Sequence, residues 1–213
     1  RRTPARRGET IDLRRTIRRN LPRGGEPLEL VRKHRPERPV NLVVLLDVSG
    51  SMQVYSRFLL NFVRGLLGQW LRVDAFLFHT RLVRITEALR EKDPLRAMSR
   101  LSLLAEGFGG GTRIAASLNS FNERYARAVL DSRSVVIIMS DGYDTDPPAA
   151  LAAELKRLKR RARRLIWLNP LIGWKDYAPV ARAMAAALPF IDCFAAAHSL
   201  ASLAALETEL ARL

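Results

Sequence analysis

The sequence predicts an α/β fold: a doubly wound, mostly parallel six-stranded sheet with one antiparallel edge strand and helices on both faces. Three observations carry that expectation. Short apolar runs, "VNLVVLL" (40–46), "SVVIIM" (134–139) and "RLIWLN" (164–169), are separated by amphipathic stretches of roughly 10–20 residues, the rhythm of parallel strands joined by crossover helices. Two further runs, "VDAFLFHT" and "RLVRIT" (73–86), follow one another with almost no connection, which implies a hairpin and an antiparallel edge. The chain is 213 residues long and 48% hydrophobic, enough for one domain with a proper core. No stretch of it reaches the roughly 20 apolar residues that span a bilayer.

Residues 1–39 are expected to form a basic N-terminal arm. Within it Ile11, Leu13, Ile17 and Leu21 recur at near-helical spacing, so 9–21 reads as a short amphipathic helix that docks on something. "PERP" (36–39) punctuates the chain and opens a domain spanning 40–213. The strand at 40–46 leads into a long helix over 53–71 with its apolar residues on one face. After the hairpin, Asp93 as cap and Pro94 at the first turn start a helix over 93–104. "AEGFGGGT" (105–112) precedes a helix from about 112 to 130 and then the strand at 134–139. Asp146 followed by Pro147 starts another helix. The strand at 164–169, a helix near 176–187, a strand "FIDCF" (190–194) and a final helix from Ser199 complete the pattern. There is no internal repeat.

The formal net charge is +15, and it is unevenly placed. Residues 1–39 hold 13 Lys/Arg against 5 Asp/Glu, and the remaining 174 hold 23 against 16. A second cluster is "KRLKRRARR" (156–164). Such clusters suit nucleic acid, an acidic membrane surface or an acidic protein, and equally describe a solvated arm and a solvated helix face. A single cysteine, Cys193, excludes an internal disulfide framework and fits a reducing compartment, so the expected location is cytoplasmic. The opening "RRTPARR" has no Met and no apolar signal core, which points to a fragment of a longer chain and not to a secreted one.

In a doubly wound sheet the first and fourth strands are neighbours where the winding reverses, and ligands sit outside the carboxyl ends of the strands there. Asp47 ends the first strand in "LVVLLDVSGSM" (42–52), and "SDG" (140–142) ends the fourth, so Asp141 should face Asp47. Ser49 and Ser51 follow Asp47, and Thr112 starts a helix after Gly109, Gly110 and Gly111. Those glycines let backbone pass close to a ligand; Gly50, Gly110, Gly111 and Gly142 are the expected site-shaping positions. Two carboxylates and three hydroxyls with no His or Cys select a hard divalent cation, Mg²⁺ first, then Mn²⁺ or Ca²⁺. Held mainly by hydroxyls, such an ion stays electrophilic and accepts an anionic ligand from another molecule. The alternative for "DVSGS" alone is helix capping, in which Ser and Asp only satisfy free N–H groups.

"DVSGSM" with "GGGT" and "MSDG" resembles the metal-ion-dependent adhesion site of von Willebrand factor type A domains, a Rossmann-like fold. All five positions of its pattern match, at Asp47, Ser49, Ser51, Thr112 and Asp141. "IDLRRTIRRNLPRGGEPLEL", "GGGTRI", "LIWLNP" and "ALPFIDCFAAAHSLASLAAL" are similar to the CoxE-like family and extend the likeness back to about Glu9. Arg163–Arg164 departs from the His-containing step expected before "LIWLNP". The resemblance implies a non-enzymatic, metal-ion-dependent protein-binding module that assists maturation of a molybdenum hydroxylase of the carbon monoxide dehydrogenase type. It also implies a MoxR-type AAA+ ATPase or the client metalloenzyme as partner, bound through an acidic side chain that completes the metal shell.

Other chemistries fit less well. Aspartate-nucleophile phosphatases need a second acid two residues after the first, and that place is Ser49, so a Mg²⁺-dependent phosphohydrolase lacks its general acid/base. "GFGGGTR" has neither the Lys of a phosphate loop nor the third glycine of a dinucleotide fingerprint. "DGYDTD" (141–146) lacks the Gly and distal Glu of a calcium loop; Asp144 and Asp146 are expected to make a turn and cap a helix. His34, His79 and His198 have no metal-type spacing, and Cys193 reads as packing. Trp167 belongs to the core strand, and Trp174 and Tyr177 suit either an interface or a tucked loop. A nucleic-acid-associated protein stays open as an alternative on the basic arm alone.

Overall fold

The computed structural model describes residues 3–5, 10–11, 32–34, 40–69, 72–91, 93, 96, 100, 111–172, 182–199 and 202. The chain divides into two compact units, Arg1–Pro39 and Val40–Leu213. In the first, β1 (Thr3–Ala5), β2 (Thr10–Ile11) and β3 (Arg32–His34) form an antiparallel sheet in the order β1-β3-β2. The helix expected from residue 9 therefore does not begin there. Thr10 and Ile11, both β-branched and suited to a pleated strand, pair with Lys33 and Arg32. Leu13, Ile17 and Leu21 lie outside the described residues.

The second unit carries β4 (Leu42–Asp47), β5 (Val73–Phe78), β6 (Leu82–Arg84), β7 (Val135–Met139), β8 (Arg164–Asn169) and β9 (Cys193–Ala196) in one sheet of six. Its order is β6-β5-β4-β7-β8-β9, parallel throughout except at the β5–β6 hairpin. The winding reverses at β4, between β5 and β7, as a doubly wound sheet requires. Every residue of β4 and β7 is buried, which is why both read as unbroken apolar runs.

Alternation along β4 divides the core. Leu42, Val44 and Leu46 face one side, with Leu59 and Val63 of α1 (Gln53–Gln69) and Ala88 and Leu89 of α2 (Thr86–Arg90). Val43 and Leu45 face the other. There they meet Ile114, Leu118 and Phe121 of α3 (Ile114–Arg124), Leu151, Leu155 and Leu158 of α5 (Pro148–Lys159) and Met184 of α6 (Arg182–Ala187). Helices thus cover both faces.

Several boundaries differ from the sequence expectation. The helix expected from 112 to 130 is interrupted at Tyr125, giving α3 and a short α4 (Ala126–Val129). The Tyr125 ring packs against Phe76 and Phe121, with centroids 5.0 and 6.5 Å away, an aromatic contact made at the break. The last strand starts at Cys193 and not at 190, because Leu188–Phe190 forms a 3-10 turn. Asp192 then staples the strand start, its N–H donating to the Leu165 carbonyl and its carboxylate accepting the Leu165 N–H, both at 2.8 Å. Of the helix expected over 93–104 only isolated positions are described, where the Arg96 N–H reaches Asp93 Oδ1 at 3.4 Å. Ser199 Oγ accepts the Ser202 N–H at 3.1 Å at the start of the expected last helix; the rest of it, and 173–181 with Trp174 and Tyr177, lie outside the described residues.

Candidate metal centre

Asp47 ends β4, and Ser140 and Asp141 directly follow the end of β7. Asp47 is fully buried at 0% exposure. Its Oδ1 accepts the Ser49 N–H at 2.9 Å, and its Oδ2 accepts the Ser140 hydroxyl at 2.6 Å. Burial pushes the carboxyl up from 3.8 to about 6; the hydrogen bonds from Ser140 and Ser49 oppose this, and repulsion from Asp141 adds to it. That repulsion places the two carboxylates in one electrostatic environment. Ser49, 3% exposed, sits with its Oγ 3.2 Å from the Oγ of the exposed Ser51. Ser49 precedes, and Ser51 lies within, the short helical turn over Gly50–Met52.

Asp141, 2% exposed, uses Oδ1 to accept the Tyr143 N–H at 3.1 Å. Its Oδ2 is buried and has no hydrogen-bond partner among the described residues. A carboxylate oxygen left without a donor in a buried place is costly, and a cation is the partner that removes the cost. Two neighbours hold the strand end that carries it. The Trp167 indole N–H donates to the Ser140 carbonyl and the Asn169 amide to the Asp141 carbonyl, each at 2.9 Å. The buried Trp167 therefore serves both the core and the site.

Thr112 is nearly buried at 8% exposure. Its carbonyl accepts the N–H and the hydroxyl of Thr145 at 2.9 and 2.8 Å, which ties it to the loop after Asp141. Asp144 and Asp146 do cap a helix, but it is α3 and not α5, the helix they precede: their carboxylates take the N–H groups of Ile114, Ala115 and Ala116. Burial pushes Asp144 above its ordinary value, against those amide hydrogen bonds.

The glycines divide by role. Gly142 adopts φ +85°, and a Cβ there would meet Met184 Sδ at 2.3 Å. At Gly111 a Cβ would meet Thr145 Cγ2 at 2.4 Å, so this glycine makes room for the chain's own threonine. Gly50 faces open space, with nothing within 4 Å of a Cβ. Gly110 lies outside the described residues.

Sequence reasoning missed Ser140. Extending the β4–β7 register by one step past Leu46↔Met139 sets Ser140 opposite Asp47, so the signal lay in aligning the two apolar runs. Among the described residues no three His, Cys, Asp or Glu gather as a metal site. The donors on offer are hydroxyls beside two buried carboxylates, a hard oxygen set that fits a small divalent cation.

The strand order, and a switch point flanked by Asp47 and Asp141, are those of a von Willebrand factor type A domain. Solved structures agree on the fold. A von Willebrand factor type A protein from Catenulispora acidiphila is 14% identical with a TM-score of 0.55, over 84% of this chain and 43% of that one. Proximal thread matrix protein 1 from the mussel byssus, with a zinc-occupied MIDAS motif, is 16% identical with a TM-score of 0.52, over 81% and 47%. The pilus adhesin SpaC of Lactobacillus rhamnosus GG is 15% identical with a TM-score of 0.55, over 84% and 30%. The chain thus spans less than half the length of these proteins. By sequence it belongs to the family of VWA domain containing CoxE-like proteins, which matches residues 1–203. No curated protein matches it in sequence. No helix among the described residues is long and apolar enough to cross a membrane.

Proposed function

We propose that this chain is a non-enzymatic, metal-ion-dependent protein-binding module. Ser49, Ser51 and Thr112 would hold Mg²⁺, or Mn²⁺ or Ca²⁺ in its place, with Asp47 and Asp141 contributing directly or through water. The observation that carries the reading is the buried Asp141 Oδ2, left without a hydrogen-bond donor among the described residues, on a carboxylate that repels the buried Asp47; the paired Ser49 and Ser51 hydroxyls that follow Asp47 support it. When bound, the ion would supply a Lewis-acidic position open to an Asp or Glu side chain of a partner. Attraction between a 2+ ion and a carboxylate is large in a water-poor interface, but both must first shed hydration. The bond is therefore decisive within an interface and weak alone.

Membership in the CoxE-like family supports the finer reading: an accessory factor in maturation of a molybdenum hydroxylase, working with a MoxR-type AAA+ ATPase that supplies the nucleotide hydrolysis. The test is complex formation between this protein and a MoxR-type AAA+ ATPase in Mg²⁺, in EDTA, and with Ser49→Ala. Affinity should fall at least tenfold in the last two. Equal affinity in all three overturns the metal as the recognition element.

A further inference from the structure

We infer that Asp144, Thr145 and Asp146 are positioning residues that lock the Thr112 leg of the metal centre onto the Asp141 loop, an inference that rests on the metal reading above. Helix α3 begins at Ile114 without any cap from the residue before it, Arg113. Its first N–H groups, which no turn of its own can satisfy, are met from a loop thirty residues on. Asp144 takes Ile114 N–H on Oδ1 and Ala115 N–H on Oδ2, both at 3.0 Å. Asp146 takes Ala116 N–H on Oδ2 at 2.9 Å and the Arg113 Nε–H on Oδ1 at 3.1 Å. Between them, Thr145 donates both its N–H and its hydroxyl to the Thr112 carbonyl, at 2.9 and 2.8 Å. The Asp146 N–H closes the loop on Asp144 Oδ1 at 3.0 Å.

Three consecutive residues thus grip 112–116, and they follow Asp141 by three to five positions. Their chemistry suits the task. Carboxylates at a helix N-terminus make charge-assisted bonds and meet the positive end of its dipole. The space is shared as well, since the Thr145 methyl occupies the place a Cβ of Gly111 would fill. A serine or aspartate at position 113 could have capped α3 locally. Arg113 stands there, and the capping falls to the loop that begins with the second buried carboxylate of the centre. The two bonds from Thr145 fix the backbone of Thr112, the residue whose hydroxyl the metal reading assigns to the ion. Two loops far apart in sequence become one rigid piece before any ion arrives, and the ordering cost of metal binding is lowered.

The test uses the full chain and Mn²⁺ alone, by titration calorimetry, with Asp144→Ala, Asp144→Asn, Thr145→Val and Asp47→Ala. Hydrogen exchange at residues 113–116 is followed in EDTA and in saturating Mn²⁺. Asp144→Ala should weaken Mn²⁺ by roughly 10–100-fold, the usual effect of losing a residue that orients a ligand, and Thr145→Val by less. In Asp144→Ala the amides at 114–116 should exchange faster in EDTA and regain protection with Mn²⁺. A cap with only a structural role would leave exchange equally raised in both conditions and Mn²⁺ affinity unchanged, which overturns the clamp. If Asp144→Ala does not fold, Asp144→Asn, which keeps one acceptor, and Thr145→Val carry the same comparison. Wild-type protein that binds no Mn²⁺ would overturn the metal reading and this inference with it. Wild-type binding lost in Asp47→Ala but unchanged in every clamp variant would overturn the clamp alone.

Discussion

Asp47 is placed against its own interest. A carboxylate at 0% exposure loses most of its hydration, and two hydrogen bonds do not compensate, so its carboxyl is held at about 6 against an ordinary 3.8. The folded chain therefore grips that proton more tightly than the unfolded chain does. The stability this contributes is fully present below pH 3.8 and is lost as pH rises through about 6. The gap corresponds to roughly 3 kcal/mol, a large share of a domain's usual margin. Asp47→Asn should then raise the melting temperature in EDTA at pH 8, with the difference from wild type vanishing near pH 3.5. At the same time it should abolish the rise in melting temperature on adding Mg²⁺. A variant less stable than wild type in EDTA at pH 8 would contradict the assignment. In the wild type, Mg²⁺ affinity should weaken by about tenfold per pH unit below pH 6, because the ion and the proton compete for one carboxylate.

At the scale of elements, the site depends on how β7 ends. Met139 is the last paired residue, and the chain then turns through Gly142 at φ +85°. Gly142→Ala would impose both an unfavourable backbone conformation and a collision with Met184. It should cost about 1–3 kcal/mol in urea unfolding and weaken Mg²⁺ binding by moving Asp141. Unchanged unfolding and binding would show that the turn tolerates a side chain. Much of this architecture was legible in the sequence. The buried strands β4, β7 and β8 read as apolar runs because both their faces are covered, and "DVSGS" and "SDG" stood at their ends. What escaped the reading depends on pairing between distant segments. Ser140 acquires its role from the register between β4 and β7, and the capping of α3 by Asp144 and Asp146 crosses thirty residues. Tyr125 interrupts a helix where its ring packs on Phe76, and β9 starts where Asp192 finds Leu165. None of these follows from local periodicity, and neither does the pairing of Thr10–Ile11 with β3.

For the whole molecule the question is where its charge acts. The candidate metal centre lies at the carboxyl ends of the strands, whereas α5 descends from there to the start of β8 and so ends at the opposite pole. Its last turn carries Lys156, Arg157 and Lys159, which complement the negative end of the helix. Arg157 pairs with Glu154 and Glu123, and Lys159 with Asp192. Lys156, Arg160 and Arg161 are exposed. The excess of positive charge in residues 1–39 lies in a compact unit of its own, and the six-stranded sheet is built wholly from strands of the second unit. Removing 1–39 should therefore leave a domain that unfolds cooperatively and binds Mg²⁺ with wild-type affinity. The same truncation separates the two readings of the charge. Phosphate contacts release counterions, so binding to random duplex DNA would fall steeply between 50 and 200 mM salt, by about 10³-fold or more for six contacts. A protein docked by a metal–carboxylate bond in a desolvated interface is screened much less by salt and is lost instead in EDTA. The expected outcome is weak DNA binding by the intact chain and EDTA-sensitive binding of the proposed protein partner. Tight duplex binding by the intact chain, steep in salt, indifferent to EDTA and abolished by the truncation, would transfer the function to the arm and leave the crevice without a partner.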